Sequence, residues 1–284
     1  MNSLDTSRGR LPSYSLYSAL REPWKIDVAL HHKIDGDLSE TKGMAVKAAL
    51  FVTCLVDQLY PQVGVSTVRI LERLGVEVEY DPRQTCCGQP AFNTGYREEA
   101  RRVARHFIHL YRDTEYLVVP SGSCAAMIKV FLPELFEEGS AQRDQAAAIA
   151  SRTWEFSDFL LSVLAVESTG SRFPEIVTYH DSCHLLRELG IRQQPRRLIR
   201  SVEQIDFREM EGSDRCCGFG GTFSVKFPEI SVAMGEEKID LISKTGARYV
   251  VANDISCLMH LEGLLSRRRI PVEVMHLAEL LAQF

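Results

Sequence analysis

The sequence contains nothing close to the roughly 18 continuous apolar residues of a membrane-spanning helix, so no span is expected within its 284 residues. Positive charge is not in excess: 33 Lys and Arg stand against 38 Asp and Glu, a formal net charge of −5. That balance gives no electrostatic footprint for nucleic acid or an anionic membrane. The first 43 residues lack the basic, apolar and small-residue succession of a secretory signal, so a cytoplasmic chain is expected. There is no Walker A phosphate loop, no G-x-G-x-x-G fingerprint and no G-x-S-x-G elbow. Direct binding of a nucleotide or hydride carrier therefore has no sequence support. The C-x₂₋₄-C knuckles of common zinc sites and the spacing of ferredoxins are missing too.

What the sequence does have is eight cysteines, four of them in two adjacent pairs, Cys86-Cys87 and Cys216-Cys217. In a reducing compartment, cysteines in such number point to metal ligands or redox groups rather than structural disulfides. A disulfide between neighbours is also strained, because adjacent Cα atoms are too close together.

The chain repeats itself. Ala-Leu-Phe-Val-Thr-Cys54 corresponds to Val-Thr-Tyr-His-Asp-Ser-Cys183, and Gln84-Thr-Cys-Cys-Gly88 to Asp214-Arg-Cys-Cys-Gly218. Tyr116 to Cys124 corresponds to Tyr249 to Cys257, and Trp154-Glu-Phe-Ser to Val274-Met-His-Leu. From the first cysteine to the pair lie 31 residues in one half and 32 in the other; from the pair to the last cysteine, 36 and 39. Each half thus carries one four-cysteine set: Cys54, Cys86, Cys87 and Cys124, then Cys183, Cys216, Cys217 and Cys257.

Short apolar runs predict strands at 48–53, 76–80 and 116–119, and again at 176–180, 205–210, 248–252 and 272–274. Helical periodicity falls between them, at 64–74, 97–111, 195–202, 229–244 and 258–267. Such alternation predicts an α/β protein of two pseudo-symmetric Rossmann-like units with mostly parallel sheets. The expected organisation is a leader or disordered extension over 1–43, a first unit over 44–170 and a second over 171–284. The join falls where Ser-Thr-Gly-Ser interrupts the apolar pattern.

On these strands the first and last cysteine of each set follow a strand end, where open α/β sheets bind ligands. The pairs sit on glycine-containing loops whose N–H groups can approach sulfur. Four thiolates from three segments make a soft site suited to an iron–sulfur cluster or zinc. Composition and spacing alone leave iron–sulfur, zinc and redox-active thiols open.

The two Cys-Cys-Gly units, each flanked by a preceding and a following cysteine, resemble the CCG cysteine-rich domain. Within that superfamily the likeness is to the lactate utilization protein A family, in its two units, lack of a fused ferredoxin domain, and opening Ala-Leu-Phe-Val-Thr-Cys54-Leu-Val-Asp-Gln-Leu-Tyr-Pro. The resemblance implies one or two 4Fe–4S clusters held by the eight cysteines, zinc being the alternative that the residues alone leave open. It also implies electron transfer in a multi-subunit oxidoreductase acting on L-lactate, not catalytic alone, with a ferredoxin-type iron–sulfur partner. In heterodisulfide reductase-type units the last cysteine belongs to a Cys-x-x-Cys pair; here Ser121 and Asp254 stand in the penultimate place. That departure weakens the alternative of a disulfide-cleaving catalytic subunit.

Three other features draw attention. His180, Asp181 and His184 bracket Cys183, with His184 able to donate to cluster sulfur or simply to pack. Asp254 offers a carboxylate too hard for a soft cluster. Arg196-Arg197-Arg200 and Arg267-Arg268-Arg269 read as solvated helix faces, with a docking patch as the rival reading.

Overall fold

The computed structural model describes residues 46–284. The expectation for 1–43 lies outside the described residues.

Parallel strands are covered by helices on both faces, so their residues read as continuous apolar runs rather than alternating ones. Tyr-Leu-Val-Val (β3, Tyr116–Val119) and Tyr-Val-Val-Ala (β7, Tyr249–Ala252) are such runs, and their last three residues are buried. Each is one of the two inner strands of a four-stranded sheet. In the first, β1 (Lys47–Leu50), β2 (Glu77–Glu79), β3 and β4 (Thr153–Glu155) lie in the order β2-β1-β3-β4. In the second, β5 (Ile176–Tyr179), β6 (Asp206–Phe207), β7 and β8 (Glu273–His276) take the equivalent order β6-β5-β7-β8. Every pairing is parallel, with Ala48 opposite Tyr116 and Val177 opposite Tyr249. The fold is α/β with two Rossmann-like units.

The expected helix over 97–111 is found at Arg97–Tyr111 and that over 229–244 at Pro228–Lys244. Two differences are informative. No strand is expected at 153–155, since Thr-Trp-Glu is too short and mixed to form an apolar run; its pairing with β3 supplies the order. The repeat at the unit ends is also displaced by one residue. Val119 faces Glu155 and Ala252 faces His276, so Glu155 is equivalent to His276, not to Met275. Both cap helices: Glu155 accepts from the Ser157 and Asp158 N–H groups and His276 from that of Ala278. Capping geometry, rather than residue type, aligns the two ends.

The two sheets meet through buried polar contacts and close helix packing. The helix Gly122–Ala126 lies against Cys183–Arg187, and a Cβ at Gly122 would come within 2.5 Å of Leu185 Cβ. Glycine is therefore required by the approach. Gly122→Ala is expected to cost about 1–3 kcal/mol, as overpacked interiors do, seen as a lower denaturation midpoint.

Asn253 joins the sheets by donating to Glu155 Oε1 (2.8 Å) and accepting from the Tyr179 hydroxyl (2.9 Å). Burial pushes the Glu155 carboxyl up to about 7, and the same burial holds His276 down at about 4. A carboxyl raised on folding stabilises below its unfolded pKa, and that contribution disappears as pH rises through the folded value. A histidine lowered on folding acts in the opposite sense, so the two offset each other between about pH 4.5 and 6.5. Glu155→Gln removes one of them. Relative to the variant, the unsubstituted protein is expected to lose roughly 2–3 kcal/mol between pH 5 and 8, read from denaturation curves across that window. Parallel curves would contradict this.

Candidate functional site

Each cysteine takes its place from a strand end or a loop beside one. Cys54 opens a helix four residues after β1, and Cys183 opens one four residues after β5. Cys124 and Cys257 lie in the first turns of the helices following β3 and β7. Cys86-Cys87 and Cys216-Cys217 approach on the loops after β2 and β6. All eight are free thiols, and all eight line one cavity of about 200 Å³ between the two units. In the first set Cys54 Sγ lies 3.8 Å from Cys86 Sγ, and Cys87 Sγ 3.3 Å from Cys124 Sγ.

The Cys54 hydrogen bond holds Cys86 well below the usual thiol range and pushes Cys54 itself up. Cys183 does the same for Cys216. The Gly88 and Gly218 N–H groups each donate to the sulfur two residues earlier, at 3.4 Å. Gly218 has φ +89°, and a Cβ there would meet Ser231 O at 2.4 Å. Only glycine lets this backbone turn its N–H toward sulfur.

A buried ion pair ties the loops of the second set together. Arg196 grips Asp181 through two bonds of 2.8 and 2.7 Å, with Ser213 donating to the same carboxylate at 2.8 Å. Arg196 is 4% exposed and Asp181 1%. The reading of Arg196 as a solvated charge is thus corrected: its helix turns it inward, while Arg197 and Arg200 stay exposed. Burial alone would raise the Asp181 carboxyl, but the Arg196 and Ser213 hydrogen bonds hold it below the usual range.

Asp254 and Ser121, the two penultimate positions, meet across the units. Asp254 accepts from the Ser121 hydroxyl at 2.6 Å and from the Ser123 hydroxyl at 2.7 Å. Its carboxylate is engaged with serines rather than left for a metal. His184 Nδ1 is 3.6 Å from Cys183 Sγ. His180, which the sequence places beside Cys183 without giving it a role, is buried with both ring nitrogens unpartnered, and Lys238, which sequence reasoning missed, is buried behind the second set. The signal was in the repeat, which sets His180 opposite Phe51.

A duplicated α/β chain with a four-cysteine set at the strand ends of each half is a CCG-type cysteine-rich protein. The family described as "CCG: Cysteine-rich domain" matches residues 48–129 and 177–262. The chain belongs to this family and, within it, to the lactate utilization protein A family. It is 47% identical over 235 residues to Lactate utilization protein A of an Exiguobacterium species, covering 82% of this chain and 96% of that one. The protein of that name from Bacillus subtilis is 44% identical over 236 residues, covering 83% and 99%.

The residues present suit a metal or iron–sulfur centre. The donors are soft thiols, the glycine N–H groups point at sulfur, and the cavity wall includes the buried, unpartnered Ser182 hydroxyl. Buried polar atoms without partners are costly and mark places where a bound group completes the network. Among the described residues, no helix is long and apolar enough to cross a membrane.

Proposed function

We propose that the chain is an iron–sulfur electron-transfer subunit of a multi-subunit oxidoreductase that converts L-lactate to pyruvate. One observation carries the reading: two complete four-thiol sets, one from each repeat, line a single cavity at the strand ends. Residues 44–170 and 171–284 are the two CCG units, and the reduced thiols suit a cytoplasmic setting. Cys54, Cys86, Cys87 and Cys124 would hold one 4Fe–4S cluster, and Cys183, Cys216, Cys217 and Cys257 the other. A bound cluster would supply one-electron transfer. The chain's own residues hold the sulfurs, donate to them from Gly88 and Gly218, and surround them with apolar side chains that limit water access.

The relatives' name supports lactate as the substrate. No dinucleotide or flavin fingerprint is present, so partner subunits take the electrons from lactate, a ferredoxin-type iron–sulfur protein among them. Combined with those partners, the purified chain is expected to become reduced on addition of L-lactate, while alone it oxidises none. Lactate oxidation by the isolated chain, or full activity of the partners without it, would contradict the reading.

A further inference from the structure

The repeat places chemically different residues behind the two cysteine sets. Three residues before the first cysteine stands Phe51 in one half and His180 in the other; one residue after it stands Leu55 or His184. A third pair follows from the loop glycines. Gly88 lies against Val103 and Gly218 against Met234, so four residues further along these helices Phe107 corresponds to Lys238.

Behind the first set, Phe51 and Phe107 form an edge-to-face aromatic pair with centroids 5.2 Å apart. Neither ring offers a hydrogen-bond donor. Behind the second set, His180 is fully buried and neither of its ring nitrogens has a partner. One of its nitrogens lies within 4.8 Å of the Cys217 and Cys257 sulfurs, which are themselves within that distance of each other. Lys238 is also fully buried and donates to the Gly212 and Ser213 carbonyls at 2.7 and 3.2 Å. Burial lowers Lys238 to about 8.

An unpartnered buried imidazole carries a desolvation cost that a nearby sulfur can relieve. Donors to cluster sulfurs, and positive charge nearby, favour the reduced and more negative state. On the iron–sulfur reading above, we infer that His180 is a positioning residue whose N–H donates to sulfur of the Cys183, Cys216, Cys217 and Cys257 set, making that centre the higher-potential one of the two. Lys238 adds to the same difference. Electrons entering the shared cavity then settle at the second set, and the duplicated subunit has a direction.

The test is an anaerobic redox titration of the full chain followed by EPR, with iron and sulfide quantified, for the unsubstituted protein, His180→Phe and His180→Gln. Two reduction steps are expected. His180→Phe, which copies Phe51, should shift the higher step downward by about tenfold in equilibrium constant, ~59 mV for one electron, leaving the lower step in place. His180→Gln keeps an N–H donor and should shift it less. With ¹⁵N-labelled histidine, pulsed EPR of the higher-potential centre should show a nitrogen coupling that survives His184→Gln. If His180→Phe fails to fold or load, that coupling in the unsubstituted protein decides, and its absence overturns the inference. An iron-loaded protein with a single step, or an unmoved higher step in His180→Phe, overturns it too while leaving the iron–sulfur reading intact. A chain that takes up no iron overturns that reading instead, and the inference with it.

Discussion

Asp181→Ala is expected to destabilise the protein by roughly 3–5 kcal/mol, the cost of leaving a buried charge without its partner. The charge left behind is Arg196, 4% exposed and in contact with the Asp181 carboxylate through two nitrogens. Its other partner, Glu209, binds it at 2.9 and 2.7 Å but is 43% exposed, so solvent screens that pair. The Asp181 N–H also donates to Ser213 O at 3.0 Å, so the pair joins the segment leading to Cys183 to the one leading to Cys216. Denaturation midpoints should therefore fall, and retention of iron by the second set should fall with them. Replacing both residues, Asp181→Leu with Arg196→Leu, should recover part of the lost stability, because no unpaired charge remains. A double variant no more stable than Asp181→Ala would show that the pair matters through packing rather than charge.

Cys217→Ser is expected to remove the second centre and leave the first. A hydroxyl is a harder ligand than a thiolate and poorly matched to a soft cluster. Serine is close to cysteine in volume, and Cys217 is 2% exposed within an apolar cluster with Ile239 and Leu261, so the fold should persist. Iron per chain should drop by about half, and one of two reduced-state EPR signals should disappear. Cys87→Ser should remove the other signal. Loss of both signals in each single variant would show that the eight thiols serve one shared centre instead of two.

Much of this architecture was legible because the repeat made each half a check on the other. Tyr116–Val119 and Arg97–Tyr111 have the bounds that their apolar pattern predicts, since a buried parallel strand and an amphipathic helix both show in local periodicity. β4 was not legible, because Thr153, Trp154 and Glu155 become a strand only through pairing with β3. The cysteine positions were readable from spacing alone. Their convergence on one cavity was not, because it depends on the packing of Gly122–Ala126 against Cys183–Arg187 and on the Asp254–Ser121 bond. Arg196 was misread for a related reason. In Arg196-Arg197-Arg200 one arginine turns inward and two outward, and only the location of Asp181 tells which.

The most direct test of the central claim is metal and sulfide analysis of the anaerobically purified chain. Two four-cysteine sets holding clusters predict about four iron and four acid-labile sulfide for each filled set, with a reduced-state EPR signal. Stoichiometric zinc with neither iron nor sulfide would contradict it.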